Sequence, residues 1–68
     1  MSKNILTIRE REVFLLLVKN KTTKEIASTL RISEKTVRNH ISNVIQKLGV
    51  TSRSSAIIEL LKSEDLTL

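Results

Sequence analysis

With 68 residues the chain has room for one small domain, in which roughly 60% of the unfolded surface can be buried, so economical packing or a partner must complete its stability. The absence of cysteine excludes disulfides and thiolate metal sites, and a single histidine leaves too few ligands for a transition-metal centre, so no cofactor is expected. A net charge of +5 and a pI near 10.1 call for an acidic partner, nucleic acid or an anionic membrane surface.

No Pro, one Gly and one aromatic residue argue for short helices over a turn-rich β fold. The first helix opens at Thr7, an N-cap with Glu10 three residues later, and runs through Val13, Phe14, Leu16, Leu17 and Val18. The apolar run from Val13 to Val18 is too continuous to show a clean period, which leaves a strand as the alternative there; the charged entry Arg9-Glu10-Arg11-Glu12 favours a helix. That run is also far short of the ~20 residues that span a bilayer, and no signal peptide precedes it, so a soluble cytoplasmic protein with no membrane contact is expected. Asn20 is placed to end the helix in a left-handed conformation. A second capping pair, Thr22 with Glu25, opens a short helix carrying Ile26, Ala27 and Leu30, and Arg31-Ile32-Ser33 makes a tight connection to the next.

Residues 33 to 49 form the central stretch. Ser33 caps it, Ile32 and Val37 fit a hydrophobic staple, and Gly49 ends it. Val37, Ile41, Val44, Ile45 and Leu48 fall on one stripe when successive residues turn by about 100°. Lys35, Asn39, Ser42, Asn43 and Gln46 point the other way, with Thr36, Arg38, His40 and Lys47 on the flanks. That set contains no carboxylate, whereas a merely solvated face usually mixes Glu with Lys. A fourth helix, about residues 53–63, is capped by Ser52 and turns Ala56, Ile57 and Leu60 inward. The expected architecture is therefore an all-α, four-helix domain over residues 1–68, whose second and third helices form a helix-turn-helix, motif about 22–48.

A face of amides, hydroxyls and cations offers the donors that read base edges and grip phosphates. In a recognition helix at about 34–48, Arg38, Asn39 and Ser42 are the candidates for base edges: Arg suits guanine, Asn suits adenine and a hydroxyl is permissive. Lys35, Thr36, His40, Asn43 and Lys47 are candidates for phosphates, with Thr22, Thr23 and Lys24 at the start of the preceding helix, where backbone N–H groups attract anions. The charge distribution agrees: the excess is +3 over residues 1–30, +3 over 31–47 and −1 over 48–68. Two binding alternatives stay open, a polar surface helix in a small bundle and a protein-interaction module resembling region-4-like sigma modules. Catalysis is not expected, because the chain has no Cys, no second His, no paired carboxylates bounding a pocket and no phosphate-gripping glycine loop. On the last helix Ile58 and Leu61 remain on a second side beside Ser54 and Ser55, which suggests a homodimer surface; the alternative is that Leu61 is core and Ile58 an incidental exposed residue.

Leu6-Thr7-x-Arg9-Glu10-x-Glu12-Val13, then Thr23-Lys24-Glu25-Ile26-Ala27-x-x-Leu30-x-Ile32-Ser33-x-x-Thr36-Val37-x-x-His40, and Lys47-Leu48-Gly49-Val50-x-x-Arg53 together resemble the DNA-binding domain of the LuxR family. The resemblance covers nearly the whole chain and links three motifs at fixed separations. It implies a four-helix domain, dimerisation through the fourth helix, and regulation of transcription from paired half-sites in double-stranded DNA. Contact with RNA polymerase goes with the interaction-module alternative, and no small-molecule ligand is expected. Family base contacts fall on Arg38, Asn39 and Ser42, and family phosphate contacts on Thr23, Lys24, Thr36, His40 and Lys47. The chain departs from the family at Asn20, where Gly is frequent, and at Ser42, where a basic residue is frequent. Most members carry a receiver or ligand-binding domain ahead of this one, and Met1 with no linker-like N-terminus favours a free-standing regulator.

Overall fold

The computed structural model describes residues 5–63 and Leu66; expectations that rest on Met1 lie outside them. Four helices follow one another: α1 (Ile8–Val18), α2 (Thr23–Leu30), α3 (Glu34–Leu48) and α4 (Arg53–Lys62). Among the described residues there is no strand, so the apolar run from Val13 to Val18 is helical throughout.

Each helix begins on a hydroxyl that satisfies an amide the helix itself cannot. Thr7 Oγ1 accepts from the Glu10 N–H at 3.1 Å while the Thr7 N–H donates to Glu10 Oε1 at 2.9 Å, and Thr22 and Glu25 repeat the pair at 3.1 and 2.8 Å. Ser33 Oγ accepts from the Thr36 N–H at 3.0 Å and Ser52 Oγ from the Ser55 N–H at 3.1 Å. Removing one such cap typically costs about 1 kcal/mol, a large share of the stability of so small a domain.

The helix ends are equally uniform. Asn20, Arg31 and Gly49 all have positive φ, at 66°, 59° and 68°. In each case the left-handed residue donates back to the carbonyl three positions earlier, and its successor reaches one residue further back: Lys21 to Leu16, Ile32 to Ala27 and Val50 to Ile45. These are Schellman closures. Asn20 and Gly49 are suited to them, but Arg31 is not, since an arginine in this region carries a cost on the order of 1 kcal/mol. It is held there because only a left-handed residue reverses the chain quickly enough to join α2 to α3 across residues 31–33.

Helix α3 lies against all three others. Val37 and Val44 are wholly buried and Ile41 nearly so, meeting a core of Val13, Phe14, Ile26, Ala27, Ala56 and Leu60. Ile45, Leu48, Leu16, Leu17, Val18 and Ile57 pack at its margins. Leu6 and Leu66 close the two ends, the latter with its N–H on the Leu60 carbonyl at 3.2 Å.

One polar group is built into this core. The Glu10 side chain is almost completely buried, and its Oε1 receives the Lys47 ammonium at 2.6 Å in addition to the Thr7 amide. Lys47 also donates to the Ile5 carbonyl at 3.1 Å, so one ammonium ties the entry to α1 to the far end of α3. Burial alone would push the Glu10 carboxyl up; the hydrogen bonds from Lys47 and Thr7 and the positive charge of Lys47 outweigh it and hold the group below its ordinary value. A carboxyl depressed in the folded state stabilises the fold fully above its unfolded pKa, near 4.5, and loses that contribution as pH falls through the lower folded value. Urea-unfolding midpoints should therefore fall below about pH 4.5, and Glu10→Gln should flatten that fall. Lys47→Gln leaves a buried carboxylate without its cation and should lower unfolding free energy at pH 7 by about 1–3 kcal/mol.

Candidate nucleic-acid interface

Opposite the buried stripe, α3 presents Lys35, Arg38, Asn39, Ser42, Asn43 and Gln46 exposed, with Thr36 and His40 half-buried on its flanks. These residues come from one continuous helix, so their spacing is fixed by helix geometry, and the packing of Val37, Ile41 and Val44 fixes which way the face looks. All three base-edge candidates, Arg38, Asn39 and Ser42, stand on this face and in the first three turns of the helix. Of the phosphate candidates, Lys35, Thr36, His40 and Asn43 lie on or beside it. The Thr36 hydroxyl is also engaged in the cap, 2.9 Å from Ser33 Oγ, which holds it at the helix entrance.

Thr22, Thr23 and Lys24 form the entrance to α2. The capping box uses the amides of Thr22 and Glu25. Thr23 and Lys24 are the first two residues of α2, where helix geometry supplies no acceptor for an amide, and Lys24 is exposed. The hydrogen bond from the Thr22 amide is the main cause holding the exposed Glu25 carboxyl below its ordinary value, so this entrance carries a carboxylate as well as a cation.

Lys47 differs from expectation. It sits on a flank of the wheel, from which a long side chain can turn either way, and it turns toward Glu10 and Ile5 rather than outward. Its first role is therefore the strut between α1 and α3.

Glu34 was the residue overlooked. It is the first residue of α3, where a carboxylate complements the helix dipole, and its Oε1 lies 3.6 Å from Arg38 Nη1 with both side chains about half exposed. The i,i+4 spacing of the two is visible in the sequence and was the available signal.

On α4, Ala56 and Leu60 are wholly buried, while Ile58 is 56% exposed. Ser54 is exposed beside it; Ser55 and Leu61 are half-buried, Ser55 sharing the Ser52 cap and Leu61 packing on the core. Ile58 and Ser54 are thus the parts of that face that project. Among the described residues no helix is long and apolar enough to cross a membrane, and no cluster of three His, Asp or Glu side chains could hold a metal ion.

Residues 4–60 match the family described as bacterial regulatory proteins, luxR family. Over 67 residues, 98% of this chain and 90% of the relative, the sequence is 70% identical to the spore germination protein GerE of Bacillus subtilis (strain 168). A solved structure of the transcription factor GerE superposes with a TM-score of 0.89 at 64% identity, covering 91% of this chain and 92% of that one. The transcriptional regulatory protein DegU of Brevibacillus brevis is 45% identical over 60 residues, which are 88% of this chain but a quarter of DegU. The chain therefore belongs to the luxR family of bacterial regulatory proteins and is a helix-turn-helix, DNA-binding transcription regulator rather than an enzyme.

Proposed function

We propose that the protein reads a specific double-stranded DNA sequence as a homodimer on paired half-sites, with α3 in the major groove of each. The observation that carries this is the two-sided character of α3: a stripe packed into the core on one side, and on the other an accessible row of cation, amide and hydroxyl. Arg38 and Asn39 meet base edges, with Ser42 one turn further on. Lys35, Thr36, His40 and Asn43 grip phosphates along the groove, joined by Thr22, Thr23 and Lys24 at the α2 entrance. Lys47 joins them as a phosphate contact, its ammonium shared with Glu10 and the Ile5 carbonyl while the side chain stays partly exposed.

The dimer forms through α4, where Ile58 stands 56% exposed next to Ser54. A two-fold axis there would set two recognition helices about one turn of DNA apart. A chromosomal partner places the protein in the bacterial cytoplasm. The name of the relative from Bacillus subtilis makes spore germination, and spore formation with it, the process to examine first. RNA polymerase is a further partner on this reading.

Selection from a random DNA pool tests the reading directly. An enriched, two-fold half-site pair is expected; equally tight binding to random duplex would leave only a basic interaction module. Salt dependence alone does not decide, since any basic domain shows it. Arg38→Ala or Asn39→Ala should cost about 1–3 kcal/mol and relax preference at one base position, whereas Lys24→Ala should weaken all sequences alike and lower the salt slope by about one. In sedimentation, Ile58→Glu should shift the protein to monomer; an unchanged mass would remove α4 from the interface.

A further inference from the structure

Glu34 is the single carboxylate in α3, and it stands at the leading end of the helix whose polar side is otherwise cationic and neutral. Its pairing with Arg38 has little to do with stability, because an exposed ion pair between flexible side chains contributes at most a small fraction of the folding free energy. A carboxylate beside an approaching phosphate backbone also opposes binding. Packing does not offset that cost, since both side chains are exposed, and the helix dipole favours a first-turn carboxylate only weakly.

The geometry explains the placement differently. At 3.6 Å the contact is an ion pair beyond hydrogen-bond reach, so it consumes none of the five N–H groups of the guanidinium. A free arginine on a DNA-facing helix has two competing destinations, the phosphates that surround every sequence and the O6 and N7 of guanine. The Glu34 carboxylate holds the guanidinium along the axis of α3, toward its first turn, without using its donors. That restrains lateral swings to phosphate and leaves the bidentate edge available.

Resting on the DNA-reading role of α3, we propose that Glu34 is a specificity-determining residue: it positions Arg38 for base recognition and suppresses its contacts with phosphates on unrelated DNA. Glu34 is a positioning residue, acting through Arg38.

The test is a double-mutant cycle on the full chain, with Kd measured at fixed salt for the selected duplex and a random duplex of the same length. In the wild-type background Glu34→Gln should tighten binding to random duplex and reduce the ratio of specific to non-specific affinity by about twofold to fivefold, the strength of an exposed ion pair. In an Arg38→Ala background the same substitution should leave that ratio unchanged, because changes that act only through overall charge appear equally in both backgrounds. Thermal melting should show both variants folded, which separates positioning from damage to the helix. If the ratio is unaltered by Glu34→Gln, or falls equally with and without Arg38, the proposal is overturned while the DNA-reading role stands. If the wild-type protein shows no preference for any duplex, it is the DNA-reading role that fails.

Discussion

Burial of one side of α3 is the constraint on which everything else rests. Val37, Ile41 and Val44 have no other way to leave water than to be surrounded by the remaining helices, and their removal from solvent accounts for several kcal/mol in a domain this size. Once they are buried, the side of α3 on which Lys35, Arg38, Asn39, Ser42 and Asn43 stand is settled. Burial of the stripe ties the direction of the exposed face to the packing of the interior behind it.

The remaining helices and turns serve that arrangement. A small core leaves little surplus stability, and the chain compensates at the helix ends, where four hydroxyl caps and three left-handed closures satisfy groups that would otherwise need water. The Glu10 to Lys47 pair adds a link between the ends of α1 and α3 that apolar packing alone would not specify. Glu10 lies in the interior while Lys47 stays partly exposed, so the pair joins the core to the surface of α3.

Much of this could be read from the sequence because it is local. The two capping boxes, Asn20, Gly49 and the stripe of α3 depend on residues three to eight apart, and the structure places each as the pattern implied. The left-handed Arg31 could not be read, since its intrinsic preference lies elsewhere and the short path between two packed helices overrules it. Nor could the fate of Lys47, whose partner is 37 residues away and whose position on the wheel permits either direction. The burial of Leu6 and Leu66 is not legible for the same reason, since they are covered only once the helices assemble. In the candidate interface, the positions on α3 are legible from its period, and the i,i+4 spacing of Glu34 and Arg38 permits their pairing without requiring it, since both side chains are exposed.

The three left-handed closures have a kinetic side. Because they let each helix give way to the next within a few residues, contacts in this domain are predominantly between neighbours along the chain, and little loop entropy must be spent before native packing begins to reward it. Small helical domains of such low contact order fold in roughly microseconds to milliseconds. By the same argument this domain should fold quickly, the exposed face of α3 re-forming with the core behind it.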